Sequence, residues 1–248
     1  MTAKKFYFSG HSLCSEFILL HLSRIKPIIL MPTESEIKAG QAFYTSFTLK
    51  LYNFIVPIFN NHFVWRCPTR YQLKQYQRYV TPLHLDIGVG TGFFLKRTTW
   101  PNNTQLSLMD LNPACLKAAT QSVNELSPVL YLADIFQPQP NLRNKFSSIS
   151  MNYLLHCLPG TMLLKKVVIA NAISMLAPGG ILFGSTILAD PELQNFLSIR
   201  MMRFFCKKKF FSNLEDTHST LKHVLEENLS NVEIQIIGCV ALFRGIKK

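Results

Sequence analysis

Short apolar runs alternate with longer amphipathic stretches along the chain after residue 80. This alternation is typical of repeated strand–helix units, which build a mostly parallel sheet. Helices are predicted after the first, second and fourth of five such runs. The five predicted strands are Leu83–Ile87, Gln105–Met109, Val129–Ala133, Ser147–Asn152 and Gly180–Thr186.

The last two apolar runs differ from the others because a single glycine separates them. Val232–Ile237 and Cys239–Arg244 flank Gly238, and this spacing predicts a tight antiparallel hairpin. Together with the five parallel strands, the hairpin predicts an α/β fold. Its doubly wound sheet has about seven strands and is mostly parallel, with the antiparallel pair at the C-terminus.

Two helix starts are predicted between the fifth strand and the hairpin. Asp190 is followed by Pro191, which predicts a helix cap and a proline in the first helical turn. Asn213 precedes an apolar pattern that includes Leu221 and Val224, and it is predicted to cap a second helix.

A helical segment is predicted before the first strand. Phe43 and Phe47 belong to a set of apolar residues with helical spacing, which predicts a helical cap segment over residues 35–79. Residues 1–34 are predicted to be an N-terminal extension, because Met31 opens a more ordinary protein start.

Composition narrows the class of protein. With 248 residues, 48% of them apolar and 16% charged, the chain is predicted to be a soluble globular protein with one α/β domain and an accessory segment. The apolar stretch near the N-terminus is broken by Glu16 and Arg24, well short of the roughly 20 residues that a membrane span needs. No stable membrane insertion is therefore predicted.

Cysteine spacing and net charge bear on location and partners. The six cysteines form no close pairs, so neither a metal site nor a disulfide framework is predicted. Reduced thiols are typical of the cytoplasm, which is the predicted location.

Lys and Arg outnumber Asp and Glu by 26 to 14, a balance that can indicate nucleic-acid contact. Much of the excess lies outside the central motifs, so a general solubility effect is favoured.

The strongest chemical signal is an apolar strand that runs into a glycine-rich loop. Gly88, Gly90 and Gly92 follow this strand, and glycines allow a sharp turn and a close approach to a ligand. Asp86 lies two residues before the first glycine. A carboxylate there would repel the pyrophosphate of a dinucleotide, whereas it would attract a cationic aminoacid-sulfonium ligand.

Two further acids occur at predicted strand ends. Asp110 ends the second strand, where a carboxylate can accept hydrogen bonds from both hydroxyls of a ribose. Asp134 follows the third strand and precedes Ile135, a pair that suits an adenine amine and its ring. An acid at a strand end is by itself often a turn residue, but three in this order point to a nucleoside ligand.

These motifs resemble the class I S-adenosylmethionine-dependent methyltransferases, which have a Rossmann-like seven-stranded sheet ending in an antiparallel hairpin. The resemblance extends from about Tyr79 to the C-terminus, so residues 80–248 are the predicted methyltransferase domain. It implies S-adenosyl-L-methionine as cofactor and S-adenosyl-L-homocysteine as product. The residues that it assigns to cofactor binding are Asp86, Gly88, Gly90, Gly92, Asp110, Leu111, Asp134, Ile135 and Asn152.

A narrower resemblance rests on His84–Gly92 and on three other segments. Trp65–Pro68, Leu154–Gly160 and Gly238–Phe243 look like a small type 12 methyltransferase group of bacteria and fungi. This group implies the reaction, but it implies no acceptor.

Methyl transfer from a sulfonium is an in-line displacement, which gains most from alignment in a dry pocket. If the acceptor is a hydroxyl or a protonated amine, His156 is the candidate general base, with Tyr153 beside it on the acceptor side. The alternative for His156 is a structural role near Pro159. Tyr44 and Tyr52 are the predicted acceptor-pocket residues.

The acceptor class is left with alternatives. Asn152 is followed by Tyr153 and Leu154 rather than by two prolines and an aromatic residue, which disfavours methylation of adenine or of a glutamine amide. A small-molecule acceptor is favoured. An RNA or protein methyltransferase and an inactive cofactor-binding scaffold are the alternatives. The basic and aromatic segment Met201–Phe211 is interpreted as a helix end with solvated lysines rather than as an RNA or lipid contact.

Overall fold

The computed structural model describes residues 62–248. Its strands are β1 (Leu83–Ile87), β2 (Gln105–Asp110), β3 (Val129–Leu132), β4 (Phe146–Asn152), β5 (Leu176–Ile187), β6 (Leu229–Ile237) and β7 (Val240–Lys247). Its helices are α1 (Arg70–Tyr79), α2 (Pro113–Ser122), α3 (Met162–Met175), α4 (Phe196–Lys207) and α5 (His218–Asn228). None of the helices between residues 62 and 248 is long and apolar enough to cross a membrane.

The strands form one seven-stranded sheet in the order β3-β2-β1-β4-β5-β7-β6. Strands β1 to β5 pair in parallel, whereas β7 pairs antiparallel with both β5 and β6. Gly238 lies in the tight turn that joins β6 and β7. The predicted α/β fold, with a mostly parallel sheet and a C-terminal antiparallel hairpin, is confirmed.

The bounds of the strands follow long-range pairing rather than the apolar pattern alone. β1 has the predicted bounds, but β5 begins at Leu176, which pairs with Phe146 before the register shifts. At the other end of the sheet, Leu229 of β6 pairs with Lys247 of β7. These strand ends extend beyond the apolar runs because the neighbouring strand supplies hydrogen-bond partners there.

The α-helix predicted after the first strand is wrong. The chain there forms only the short 3-10 turn Leu95–Arg97. The residues that follow are two threonines, Trp100 and Pro101, and a β-branched pair close to a proline does not continue a helix. The helices predicted after the second and fourth strands are present as α2 and α3.

The helix start predicted at Asp190 is only a single 3-10 turn, Pro191–Leu193, and the Asp190 side chain makes no capping hydrogen bond to it. Helix α4 begins later, where Asn195 accepts a hydrogen bond from the Ser198 N–H at 2.8 Å and Ser198 completes a capping box. The Asp190 carboxylate instead accepts a hydrogen bond from the N–H of His218 at 2.8 Å. It therefore supports the start of α5, a partner that is distant in the sequence.

The cap predicted at Asn213 is wrong in the same way. Thr217 caps α5 through a reciprocal pair with Thr220. Asn213 is buried, and its Nδ2 donates to the carbonyl of Ile187 at 3.0 Å. Its amide therefore satisfies the backbone at the end of β5 rather than the start of a helix.

Helices cover both faces of the sheet, as the doubly wound fold requires. On one face, side chains such as Leu85 and Ile87 pack into a core with α3 and α5. On the other face, Leu106 and Phe183 pack with α1 and α2. Because side chains alternate along a strand, the neighbours of Leu85 and Ile87 in β1 face α1.

Of the predicted segment 35–79, residues 62–79 are described, and they include helix α1. Residues 35–61, with Tyr44 and Tyr52, and the predicted extension 1–34 lie outside the described residues. Met202 of helix α4 is buried, and the three lysines at and just after the end of the helix, Lys207–Lys209, are exposed. This agrees with the interpretation of Met201–Phe211 as a helix end with solvated lysines.

Candidate active site

A cleft opens at the carboxyl ends of β1, β2 and β4, where the strand order reverses direction. In open α/β sheets this switch point is where ligands bind. The cleft measures about 800 Å³, including space that is open to solvent. Six of the predicted cofactor residues line it: Gly88, Gly90, Asp110, Leu111, Asp134 and Ile135.

The glycine loop forms the floor of the cleft. Gly88 has a φ of +74°, and a Cβ atom there would lie 2.7 Å from the Leu154 side chain. Gly90 has open space on its Cβ side. Gly92 does not line the cleft. It faces α2 instead, where an added Cβ atom would lie 2.9 Å from the backbone of Ala119. The third glycine therefore lets the loop approach α2 rather than a ligand.

Asp86 lies beneath this loop and does not line the cleft. Its side chain is only 5% exposed. Oδ2 accepts a hydrogen bond from the Tyr76 hydroxyl and Oδ1 accepts one from the Ser150 hydroxyl, each at 2.8 Å. The carboxylate thus faces α1, although it belongs to the same sequence motif as the glycines.

Burial raises the pKa of Asp86 to about 7, against the lowering effect of the hydroxyls of Ser150 and Tyr76. Beside it, burial lowers the pKa of His84 to about 3. His84 hydrogen-bonds Ser148 through Nδ1 at 2.7 Å and lies fully buried. It is a core histidine with satisfied ring nitrogens.

Asp110 brings a carboxylate to the rim of the glycine loop. Its Oδ1 accepts a hydrogen bond from the N–H of Asn112 at 2.8 Å, and Asn112 in turn caps α2 by accepting from Ala114 at 2.9 Å. Burial raises the pKa of Asp110 to about 6, opposed by backbone amides including those of Asn112 and Gly90. At neutral pH Asp110 is therefore mainly ionised.

Asp134 and Ile135 form the wall beyond β3. The Asp134 carboxylate accepts from the N–H of Phe136 at 2.9 Å, which orients it at the start of the turn. Ile135 is 6% exposed, and its carbonyl accepts a hydrogen bond from Asn171 at 2.9 Å. An acceptor group thus stands beside an apolar surface.

Tyr153 lines the opposite wall in a left-handed conformation, with a φ of +53°. Its hydroxyl accepts a hydrogen bond from Nε2 of Gln72 at 2.5 Å. The same Gln72 amide donates to the sulfur of Cys67 at 3.3 Å, and burial raises the pKa of this thiol to about 12. The Tyr153 hydroxyl is therefore held by residues that precede the sheet.

His156 does not line the cleft. It is 3% exposed, and its Nδ1 lies 3.4 Å from the N–H of Ile187 and from the Thr186 hydroxyl. Its ring packs edge-on against Phe211 at 4.5 Å between centroids. Burial lowers its pKa to about 3. The ring is thus held against β5 instead of the turn at Pro159, and the catalytic role of His156 stays a prediction.

Asn152 also lies outside the cleft lining. It is buried at the end of β4, and its Oδ1 accepts from the Ser185 hydroxyl at 3.1 Å. Its cofactor role likewise stays a prediction.

The cleft includes residues that the sequence analysis did not assign. Two signals could have found part of this set: Asn112 followed by proline is a helix-cap pattern, and the segment after β4 carries the narrower family resemblance. The main additions are Asn112, Cys115, Phe136, Cys157, Leu158 and Pro159.

This set of acceptor groups and apolar surfaces suits a nucleoside that carries an amino-acid side arm. Asp110 and Asp134 place two carboxylates on one side of the cleft, where the hydroxyl and amine donors of a nucleoside need acceptors. Ile135 and Phe136 offer an apolar wall to a base, and the Gly90 backbone leaves open space for the remainder of the ligand.

Comparisons with known proteins agree with this geometry. Residues 85–184 match the family model described as a methyltransferase domain. The uncharacterized protein YbcY of Escherichia coli (strain K12) is 42% identical over 192 residues, covering 76% of this chain and 98% of that protein. The physcion biosynthesis cluster O-methyltransferase of Aspergillus chevalieri is 33% identical over 219 residues, covering 88% of this chain and 99% of that enzyme.

A solved structure with the same fold is the N-methyltransferase NodS of Bradyrhizobium japonicum WM9 in complex with S-adenosyl-L-homocysteine. It superposes with a TM-score of 0.58 at 20% identity, covering 82% of this chain and 98% of NodS. The family match, the relatives and the sheet order agree. The chain therefore belongs to the class I S-adenosylmethionine-dependent methyltransferases.

Proposed function

We propose that this enzyme methylates a hydroxyl group of a small, largely apolar organic acceptor. The observation that carries the proposal is the lining of the cleft. Among the described residues that line it, none is Lys, Arg or His, and the charged side chains are the carboxylates of Asp110 and Asp134. A nucleic-acid acceptor would require cations beside its phosphates, so an uncharged small molecule fits this lining better.

The wall on the β4 side suits an apolar, planar acceptor. Tyr153 offers its ring, and Leu154, Leu158 and Pro159 continue an apolar surface. The similarity to the physcion biosynthesis cluster O-methyltransferase spans nearly all of that enzyme, which supports oxygen as the methylated atom.

When bound, S-adenosyl-L-methionine supplies an electrophilic methyl group on a sulfonium. In this proposal Asp110 accepts hydrogen bonds from the ribose hydroxyls, and Asp134 with Ile135 holds the adenine. Gly88 and Gly90 let the backbone approach the methionine part. The enzyme then gains rate by holding the two reactants in line and excluding water.

The acceptor is proposed to have an acidic hydroxyl, such as a phenol or an enol. Nδ1 of His156 faces the N–H of Ile187, so this nitrogen is an acceptor and the proton of the neutral ring lies on Nε2. The Tyr153 hydroxyl is engaged by Gln72. Neither group is arranged to remove a proton, whereas a phenol, with a pKa of about 10, ionises without a dedicated base more readily than an aliphatic alcohol.

The first test is calorimetric titration with S-adenosyl-L-methionine and S-adenosyl-L-homocysteine, with NAD as the control ligand. We expect micromolar binding of the first two and none of NAD. A panel of phenols, with the matched anilines and aliphatic alcohols, is then incubated with the donor and analysed by mass spectrometry. We expect methylated phenols, and loss of the product with Asp110→Ala.

Two outcomes would overturn the proposal. Methylation confined to the anilines would assign nitrogen as the acceptor atom. Transfer of labelled methyl to RNA, with an affinity that falls steeply as salt rises, would assign a nucleic-acid substrate and give the net charge of +12 a direct role.

A further inference from the structure

A closed polar network is buried beneath the glycine loop, between α1 and the sheet. Tyr76, His84, Ser148 and Ser150 are each fully buried, and Asp86 is 5% exposed. Apolar side chains surround them, so each polar group depends on the others for hydrogen bonds. The reaction proposed above uses none of these hydroxyls.

The hydrogen bonds of this network have one consistent direction. The Tyr76 and Ser150 hydroxyls donate to Asp86, so their oxygens are left to accept. Nε2 of His84 lies 3.1 Å from both oxygens and must therefore carry the proton. Nδ1 of His84 then accepts from the Ser148 hydroxyl at 2.7 Å.

Ser148 continues the same order of donors and acceptors. Its oxygen accepts from the backbone N–H of Thr81 at 3.0 Å and lies 2.8 Å from the Thr81 hydroxyl. Because Nδ1 of His84 needs a donor, the Thr81 hydroxyl donates to Ser148 and the Ser148 proton goes to His84. Every donor along the path from Thr81 points toward Asp86, an orientation that stabilises the ionised carboxylate relative to its protonated form.

We propose that Tyr76 is a positioning residue that holds Asp86 as an anion for the cationic amino-acid end of the cofactor, so that the docking of α1 sets cofactor affinity. This inference rests on the proposed function, because it requires that the cleft binds the cofactor next to Asp86. Neither Tyr76 nor Asp86 lines the cleft, so Tyr76 acts through the charge of a carboxylate that lies beneath the glycine loop.

Ring packing fixes the position of the Tyr76 hydroxyl. The ring contacts Phe183 of β5 edge-on at 5.4 Å and Trp100 at 6.2 Å between centroids. The removal of the hydroxyl alone leaves these apolar contacts in place. Tyr76→Phe therefore separates the hydrogen bond from the docking of the helix.

The charges around Asp86 make it sensitive to the loss of one donor. Among the described residues, the titratable groups that face it are Tyr76 from α1, His84 from β1 and Asp110 from the end of β2. His84 is neutral, Tyr76 has a pKa raised well above its ordinary value by burial, and Asp110 repels a second negative charge. The hydroxyl donors are thus the main groups that stabilise the anion.

The test measures ligand affinity against pH for the wild-type enzyme, Tyr76→Phe and Tyr79→Phe. Tyr79 lies on the same helix, outside the network, and loses the same atom. The ligands are S-adenosyl-L-homocysteine, which has the cationic amino group, and 5′-methylthioadenosine, which lacks the amino-acid end and reports on the nucleoside contacts alone.

For wild type, we expect the affinity for S-adenosyl-L-homocysteine to fall as pH falls through about 7, because Asp86 becomes protonated there. In Tyr76→Phe this fall moves to higher pH, and the affinity at pH 7 decreases about tenfold. It recovers toward wild type as pH rises. The affinity for 5′-methylthioadenosine and both affinities of Tyr79→Phe stay unchanged.

Equal losses for both ligands, or a Tyr76→Phe curve of unchanged shape and position, would reduce Tyr76 to a structural residue and overturn the inference. If Tyr76→Phe does not fold, Ser150→Ala removes the other donor and is expected to move the curve in the same direction. Wild type that binds S-adenosyl-L-homocysteine at no pH would instead contradict the proposed function.

Discussion

Asp110→Asn tests the ribose contact with little change of shape. The asparagine keeps an oxygen that can accept from the N–H of Asn112, the bond that measures 2.8 Å in the structure. It loses the negative charge, which is present at pH 7.5 because the pKa of Asp110 is about 6. A hydrogen bond to a charged group contributes about 1.5–3 kcal/mol, so the affinity for S-adenosyl-L-homocysteine should fall by roughly 10- to 150-fold.

Calorimetry at pH 7.5 measures this change directly. Glu125→Gln is the matched control, since Glu125 is an exposed acid after α2 and does not line the cleft. It makes the same change in net charge and should leave the affinity unaltered. A loss of less than threefold for Asp110→Asn, with thermal stability equal to wild type, would refute the ribose assignment.

Four other outcomes are expected. Gly90→Ala should cost about 1–2 kcal/mol in urea unfolding, because its φ of +52° strains an alanine, and it should lose cofactor affinity. Gly92→Ala adds to a similar strain a Cβ atom that meets α2, so it should cost about 1–3 kcal/mol more. The reverse order would contradict this assignment. Lys165 and Asp216 form a fully buried ion pair at 2.5 Å, so Lys165→Met should lower the free energy of unfolding by about 3–5 kcal/mol. The second substitution Asp216→Leu should restore most of this loss, because it removes the unpaired charge. A double variant no more stable than Lys165→Met would argue against an unpaired charge as the cause. His156→Ala should lower the melting temperature but leave the affinity for S-adenosyl-L-homocysteine within about twofold, and a larger change would place His156 at the cofactor. At saturating donor, kcat for a series of phenols should rise as the pKa of the acceptor hydroxyl falls, and a rate independent of that pKa would indicate an enzyme base.

The strands were predictable because their signal is local. The apolar run before the glycine loop has the bounds of β1, and the run around Gly238 forms the predicted hairpin. Helix ends were less predictable. Asp190 and Asn213 have the residue types of helix caps, but their side chains hydrogen-bond to distant partners. Asp190 accepts from the N–H of His218, and Asn213 donates to the carbonyl of Ile187.

The candidate site was predicted in part for the same reason. Asp110 and Asp134 end adjacent parallel strands, so their convergence at one sheet edge follows from the order of elements. The surroundings of Asp86 and Gly92 could not be predicted from the order of elements. Both belong to the glycine motif, but Asp86 faces α1 and Gly92 packs on α2.

The sequence by itself determined the alternation of strands and helices, the glycine loop and the carboxylates at the strand ends. These features depend on neighbouring residues along the chain, since backbone freedom and side-chain periodicity are local properties. Only the tertiary structure decided that Tyr76 donates to Asp86 and that His156 is held against β5. Those contacts join different secondary-structure elements, and they exist only because helices and loops pack against the completed sheet.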